Sequence, residues 1–225
     1  MRTERTGPPR GRQREADLND EKLLRAARRV FVEHGWDAPV SVIAREAGIG
    51  MGSLYRRFAS KEELVRRIEL WCLDLKATAA EEALREADPW QALLAYLRGV
   101  LLSRDHGGLL PRVGGRVASD PELAAAAGRL RVALEALVLR AREAGVLRPD
   151  VEPADIPLVL EFLKARLPTS PERVEQLHLR YLDLFLDGLR APAAHRPLPG
   201  PAPDWPELTT MWNRPPDPPG PADAP

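Results

Sequence analysis

The chain has 225 residues, enough for one or two compact domains, and its 29% charged and 44% hydrophobic residues are ordinary for a soluble globular protein. A single cysteine excludes an intramolecular disulfide, and no apolar run approaches the roughly 20 residues of a membrane-spanning helix, so we expect a cytoplasmic protein without a membrane partner. The net charge is zero, although the first 70 residues carry 15 Lys/Arg against 11 Asp/Glu, a mild basic excess.

Residues 1–16 are polar, rich in arginine and without an apolar period, which predicts a disordered basic arm. Such an arm either solubilises the chain or touches phosphate or a minor groove, and its composition fits both roles. From Asp17, apolar residues recur at helical spacing, and Gly35 ends this predicted helix. Two shorter helices are predicted next, over 39–47 and 51–58.

The sequence SKEE at 60–63 predicts the start of a long fourth helix, because Ser60 would cap it and Glu63 would reach back to the cap. That helix is expected to continue to about residue 86, and Asp88-Pro89 separates it from the next one. Further helices are predicted at about 120–145, 154–167 and 171–190. No segment alternates polar and apolar residues as a strand would, so we predict an all-α fold.

The segment from 191 to 225 holds 12 of the 23 prolines of the chain. Such a segment disfavours helix and strand and offers little to bury, which predicts a disordered tail. Trp205 and Trp212 lie within it, and they either dock on the body, bind a partner or belong to a floppy tail.

Residues 39–58 fit a helix-turn-helix, because two short helices meet at the tight turn AGIGMG. In that plan the second helix enters the major groove of DNA and the first braces it, although any helical hairpin with a glycine turn has the same pattern. Leu54 and Phe58, four residues apart, share the face that packs on the first two helices. Tyr55 and Arg56 lie off that face, where a hydroxyl and a guanidinium can meet phosphates or base edges.

The stretch from 23 to 65 resembles the DNA-binding domain of the TetR family of bacterial transcription regulators. The motifs that carry the resemblance, in matching order and spacing, are Gly35-Trp36, IAREAG, LY, F and SKEEL. Three positions depart from the usual pattern: Pro39 and Gly50 stand where threonine and serine commonly cap the second and third helices, and Arg57 stands where histidine or tyrosine is common. These departures concern the details of DNA contact.

The resemblance implies a homodimer in which each subunit has a helix-turn-helix head, expected at 17–62, and a larger helical body, expected at 63–190. The body would bind a small-molecule effector and dimerise, usually through its last two long helices. The implied function is a ligand-responsive regulator, most commonly a repressor that its effector releases from a palindromic operator in double-stranded DNA. The alternative is a helical ligand-binding or interaction protein whose head no longer binds DNA.

Enzymatic and metal-dependent functions find no support in the sequence. The four histidines share no metal-ligand spacing, the cysteine has no partner, and no nucleophile–base motif or phosphate loop is present. We therefore expect neither an enzyme nor a cofactor.

Carried over residue by residue, the positions that resemble the DNA contacts of the family are Ser41, Gly50, Met51, Gly52, Ser53, Tyr55, Arg56 and Lys61. Tyr55 and Lys61 are expected to hold the DNA backbone, and a lysine at a helix start is itself out of place unless an anion lies nearby. Met51 and Arg56 are expected to contact base edges. Arg57 is either a further phosphate contact or a solvated charge.

In the resembled family the effector pocket lies among the helices behind the head, here about 64–145. The candidate lining residues, each of which is also explained as ordinary core or surface, are Trp71, Cys72, Trp90, Tyr96, His106 and Arg112. A glycine-rich stretch over 107–115 lies near the expected mouth of the pocket.

Apolar side chains cover more than half the circumference of the last predicted helix, which is more than one core contact requires. They form two sectors: one of Val174, Leu177, Tyr181, Leu184, Phe185 and Gly188, and an adjacent one of Leu179, Leu182, Leu186 and Leu189. We expect the second sector to meet another chain, unless the helix is simply central to its own domain.

Overall fold

A computed structural model of the chain describes residues 10–35, 38–103, 105, 120–164, 167–191 and 197–213. These residues form helices and no strand, which confirms the predicted all-α fold. The helices are α1 (Arg10–His34), α2 (Val40–Glu46), α3 (Met51–Arg57), α4 (Lys61–Ala83), α5 (Pro89–Leu102), α6 (Pro121–Glu143), α7 (Asp155–Leu163), α8 (Pro171–Leu189) and α9 (Trp205–Asn213). The chain divides into two compact units, Met1–Ile68 and Glu69–Pro225, with the division inside α4. Among the described helices, none combines the length and the apolar character that crossing a bilayer requires.

The first helix begins earlier than the sequence predicted. We expected residues 1–16 to be disordered, but α1 starts at Arg10, so 10–16 are helical; residues 1–9 lie outside the described part. The expectation rested on the missing apolar period, which indicates that a segment is not buried but does not prevent a helix. Arginine, glutamine, glutamate and alanine at these positions are good helix formers.

The first unit packs α1, α2 and α3 around a small apolar core. Its fully buried side chains include Val30 on α1, Ile43 on α2 and Leu54 on α3. The turn between α2 and α3 depends on Gly48, whose φ of 66° lies in the left-handed region that glycine adopts without strain. This conformation lets the Ile49 N–H donate to the Ala44 carbonyl at 3.0 Å and close the end of α2.

The second unit is built on a continuous apolar core from α4 to α8. Leu93 and Leu97 of α5, Leu134 of α6 and Leu182 of α8 are all fully buried in it. An aspartate followed by proline begins both α5 and α6: Asp88 accepts from the Trp90 N–H at 2.8 Å, and Asp120 accepts from the Glu122 N–H at 2.9 Å. These caps explain why the helix starts could be predicted from the sequence.

The leucine sector of α8, which we expected to contact another chain, packs mainly into the core of its own unit. Leu182, Leu186 and Leu189 are at most 5% exposed and belong to the core of their own unit, so that expectation was wrong for them; Leu179 is half-buried. The exposed side chains lie on the other sector, where Tyr181 is 51% and Leu184 is 57% exposed. The helical spacing of the sequence predicts two apolar sectors on this helix. Only the packing of α8 against α5 and α7 decides which of the two is internal.

Part of the proline-rich segment folds, contrary to the expected disorder. Helix α9 buries Leu208 completely, and the Trp205 indole Nε1 donates to Glu135 Oε1 of α6 at 2.9 Å. Asp204 caps this helix through the Glu207 N–H, and Pro206 falls in its first turn, where a missing N–H costs little. The prolines of the segment lie mainly outside Trp205–Asn213, so this stretch can form a helix although the segment as a whole is rich in proline. Residues 192–196 and 214–225 and the Trp212 side chain lie outside the described part.

Candidate nucleic-acid interface

Helix α3 presents one face to its own core and the opposite face to solvent. Leu54 is 1% exposed and Phe58 is 8% exposed, whereas Met51 and Tyr55 are 38% and 53% exposed. Arg56 is also exposed. The two faces that the sequence predicted are therefore present: the side chains of Leu54 and Phe58 pack inward, and those of Tyr55 and Arg56 face solvent.

The backbone at the start of α3 is not covered by side chains at Gly50 and Gly52. Gly50 occupies the N-cap position in an extended conformation, with φ −73° and ψ 150°. Because glycine has no side chain, no side-chain hydrogen bond caps the first N–H groups of the helix. A Cβ at Gly50 or Gly52 would have no described atom within 4 Å. Neither glycine is therefore required by its backbone angle or by a crowded neighbour, and the open surface would let an outside molecule come close to the backbone.

Two adjacent arginines at the end of α3 have different partners. Arg56 Nη2 donates to Ser53 Oγ at 3.0 Å, within the same helix. Arg57 Nη1 donates to Asp20 Oδ1 of α1 at 2.5 Å. The sequence offered Asp20 only as a possible cap of the first helix; 37 residues separate it from Arg57, and only the packed helices bring the two together.

Two further predicted DNA contacts lie outside α3: Ser41 on α2 and Lys61 at the start of α4. Lys61 Nζ donates to the Ala38 carbonyl at 3.0 Å and lies 5.7 Å from the centroid of the Phe31 ring. These contacts hold the lysine at the start of α4 against the elements that precede α2. Ser41 is exposed in the first turn of α2. Ser60 Oγ accepts from the Glu63 N–H at 3.2 Å, as the capping motif predicted.

The described candidates for the effector pocket lie mainly in the core of the second unit. Trp90 and Tyr96 on α5 are 5% and 2% exposed, and Cys72 on α4 is 5% exposed. Burial raises the pKa of the Tyr96 hydroxyl. Arg190 stacks over Trp90 with its guanidinium carbon 4.3 Å from the ring centroid.

Of the three other pocket candidates, only Trp71 belongs to the described residues. Trp71 is half-buried on α4. His106, Arg112 and the whole glycine-rich stretch over 107–115 lie outside the described residues. The assignment of all six residues to an effector pocket therefore stays a prediction.

Comparison with known proteins identifies the two units. A model described as bacterial regulatory proteins of the tetR family matches residues 23–68, and one described as the C-terminal domain of an SbtR-like transcriptional regulator matches 88–191. The HTH-type transcriptional repressor KstR2 of Mycobacterium tuberculosis is 29% identical over 75% of this chain and 91% of its own length. The solved TetR transcriptional regulator SCO0520 of Streptomyces coelicolor is 31% identical, covers 77% of this chain with 99% of its own, and has a TM-score of 0.55. The regulator PfmR of Thermus thermophilus is 27% identical, covers 73% of this chain with 97% of its own, and has a TM-score of 0.53.

The match of residues 23–68 to bacterial regulatory proteins, together with the outward-facing α3, makes the chain a transcription regulator of the helix-turn-helix class. The chain belongs to the TetR family of bacterial regulators, since two models of that family match both of its units. The matching families and relatives are regulators, so the chain is not an enzyme.

Proposed function

We propose that this regulator is a repressor that binds a palindromic operator as a homodimer and leaves it when a small molecule binds its body. The observation that carries the proposal is the solvent-facing surface of α3, where Met51, Tyr55 and Arg56 surround a bare helix start. A hydroxyl, a guanidinium and an unobstructed backbone are the groups that contact phosphates and base edges in a major groove. Repression is suggested by the relative KstR2, which is described as a repressor.

The proposed DNA surface consists of Ser41, Gly50, Met51, Gly52, Ser53, Tyr55, Arg56 and Lys61. We assign phosphate contacts to Tyr55 and Lys61 and base contacts to Met51 and Arg56. Lys61 retains this role although its ammonium group also binds the Ala38 carbonyl, because an ammonium group has three donors.

The homodimer is supported by exposed apolar side chains at the end of the body. Phe162 on α7 is 78% exposed, and Tyr181 and Leu184 on α8 are 51% and 57% exposed, on two helices that contact each other. Large apolar side chains left in water favour burial against another chain. A two-fold dimer would present two copies of α3 to successive major grooves, about 34–36 Å apart.

Effector release is supported by the continuity of α4. This one helix, Lys61–Ala83, contains both the proposed DNA contact Lys61 and the proposed pocket residues Trp71 and Cys72. A ligand that shifts the part of α4 around Trp71 and Cys72 would therefore act on the same helix that carries a proposed DNA contact.

The experiment is selection of bound duplexes from a random-sequence DNA library by the purified protein. We expect an inverted repeat with half-sites about one helical turn apart, followed by a steep loss of affinity with rising salt. A folded, dimeric protein that enriched no sequence would contradict the proposal. It would leave the alternative of a ligand-binding protein with an inactive head.

A further inference from the structure

The two arginines at the end of α3 lie on different sides of the helix. At about 100° per residue, Arg56 is about 200° around the helix from the buried Leu54, whereas Arg57 is only about 60° from it. Arg56 therefore lies opposite the core, on the side of Gly52. Arg57 lies on the flank beside the core, where α1 supplies its partner.

That partner is an acidic residue on a surface where positive charge would help DNA binding. The side chains of Asp20 and Arg57 are 54% and 38% exposed, and the atoms Oδ1 and Nη1 lie 2.5 Å apart. The pair cancels one positive charge on the flank of α3. Arg56 has a neutral partner instead, the Ser53 hydroxyl, and keeps its full charge on the opposite side.

We infer that Asp20 is a positioning residue that holds Arg57 against α1 and so withholds it from the DNA backbone. This inference rests on the proposed function, since it concerns how the same surface engages DNA. A phosphate contact raises affinity for all sequences alike, so Asp20 limits the part of binding that does not depend on sequence. Arg56 is then the arginine of α3 that contacts DNA.

The test compares four proteins: wild type, Asp20→Asn, Arg57→Ala and the double variant. Both positions are exposed, and asparagine has the shape of aspartate, so the fold is preserved. Affinity is measured by fluorescence anisotropy from about 50 to about 200 mM salt, on the duplex selected by the wild type and on a shuffled duplex of equal length.

Releasing Arg57 should add one phosphate contact per head. The slope of log affinity against log salt should steepen by about 0.9 per head in Asp20→Asn, or about 1.8 for a dimer. Across the salt range this variant should lose about tenfold more affinity than the wild type, and equally on both duplexes. Arg57→Ala should keep the wild-type slope, and the double variant should match Arg57→Ala.

Three outcomes would overturn the inference. A shallower slope in Arg57→Ala would mean that Arg57 contacts phosphate in the wild-type complex. A gain from Asp20→Asn that persists in the double variant would mean that the carboxylate acts by its own repulsion. Equal losses from both single variants, on the selected duplex alone, would mean that the pair orients α3. A wild type that binds neither duplex would instead contradict the proposed function, and the inference with it.

Discussion

Arg56 Nη2 donates a hydrogen bond to Ser53 Oγ at 3.0 Å, one turn earlier in α3. The bond directs the guanidinium toward the start of the helix. It occupies one of the five N–H donors that a guanidinium carries. The arginine is thus held in one orientation before DNA arrives.

We expect Arg56→Ala to change which sequences are bound, because a bidentate arginine–guanine contact discriminates against other bases by about 1–3 kcal/mol. Arg56→Lys is the matched control: it keeps the charge but not the two-pronged geometry, so overall affinity should fall less while the preference is still lost. Repeating the duplex selection with each variant measures this directly. An unchanged selected sequence with Arg56→Ala would contradict the base-contacting role.

Tyr55→Phe should weaken binding to every sequence by a similar factor. The exposed phenolic hydroxyl is assigned to a phosphate, and a hydrogen bond to a charged group contributes about 1.5 kcal/mol or more, on the order of tenfold. The ring remains, so the fold should not change. Anisotropy titrations on the selected and shuffled duplexes check the prediction, and a loss confined to the selected duplex would assign Tyr55 to a base instead.

Leu184→Glu should convert the protein to a monomer. Leu184 is 57% exposed on the outward sector of α8, so a carboxylate there disturbs a subunit contact but not the protomer core. Val132→Glu is the control, since Val132 is 61% exposed on α6, a helix that carries none of the residues proposed for the interface. Sedimentation equilibrium should give the 25.0 kDa mass of one chain for Leu184→Glu and twice that mass for the control. Dimers in both variants would place the interface elsewhere.

Leu208→Ala should destabilise the second unit, because Leu208 is fully buried in the folded part of the proline-rich segment. Removing a buried leucine side chain costs about 2–5 kcal/mol. Met211, on the same helix but 46% exposed, supplies the control, and Met211→Ala should change stability by less than about 0.5 kcal/mol. Urea denaturation measures both. Equal stability of the two variants would mean that α9 does not remain docked in solution.

Asp150 should make the stability of the second unit sensitive to acid. Hydrogen bonds from Arg148, and then from the Leu198 N–H, hold the pKa of Asp150 well below its ordinary value of 3.8. A carboxyl with a lowered folded pKa stabilises the fold above its ordinary pKa, and this contribution is lost as the pH falls through the lowered value. Asp150→Asn should therefore be less stable than the wild type near pH 7 and approach it near about pH 2. Urea midpoints across this range check the convergence, and a constant difference would assign the effect to packing.

The sequence predicted those features that depend on local chemistry. The Asp88-Pro89 and Asp120-Pro121 starts, the Ser60 cap and the inward Leu54 each follow from residues within one turn of a helix. The head was also predictable from the ordered motifs over 23–65, since the glycine turn alone is common to many helical hairpins.

Features that depend on tertiary packing could not be predicted in this way. The inner and outer sectors of α8 are both largely apolar, and only the neighbouring helices distinguish Leu182 from Leu184. The same limit applies to pairs that are distant in sequence. Arg57 meets Asp20, and Trp205 meets Glu135, at separations of 37 and 70 residues.

The central claim is that DNA lies against α3, and a photo-crosslink at position 55 tests it most directly. A benzophenone-bearing phenylalanine replaces Tyr55 in one protein and Val132 in another; both positions are more than half exposed, at 53% and 61%. Each protein is irradiated with the selected duplex. We predict a covalent DNA adduct from position 55 and none from position 132. No adduct from position 55, under conditions in which the duplex is bound, would contradict the claim.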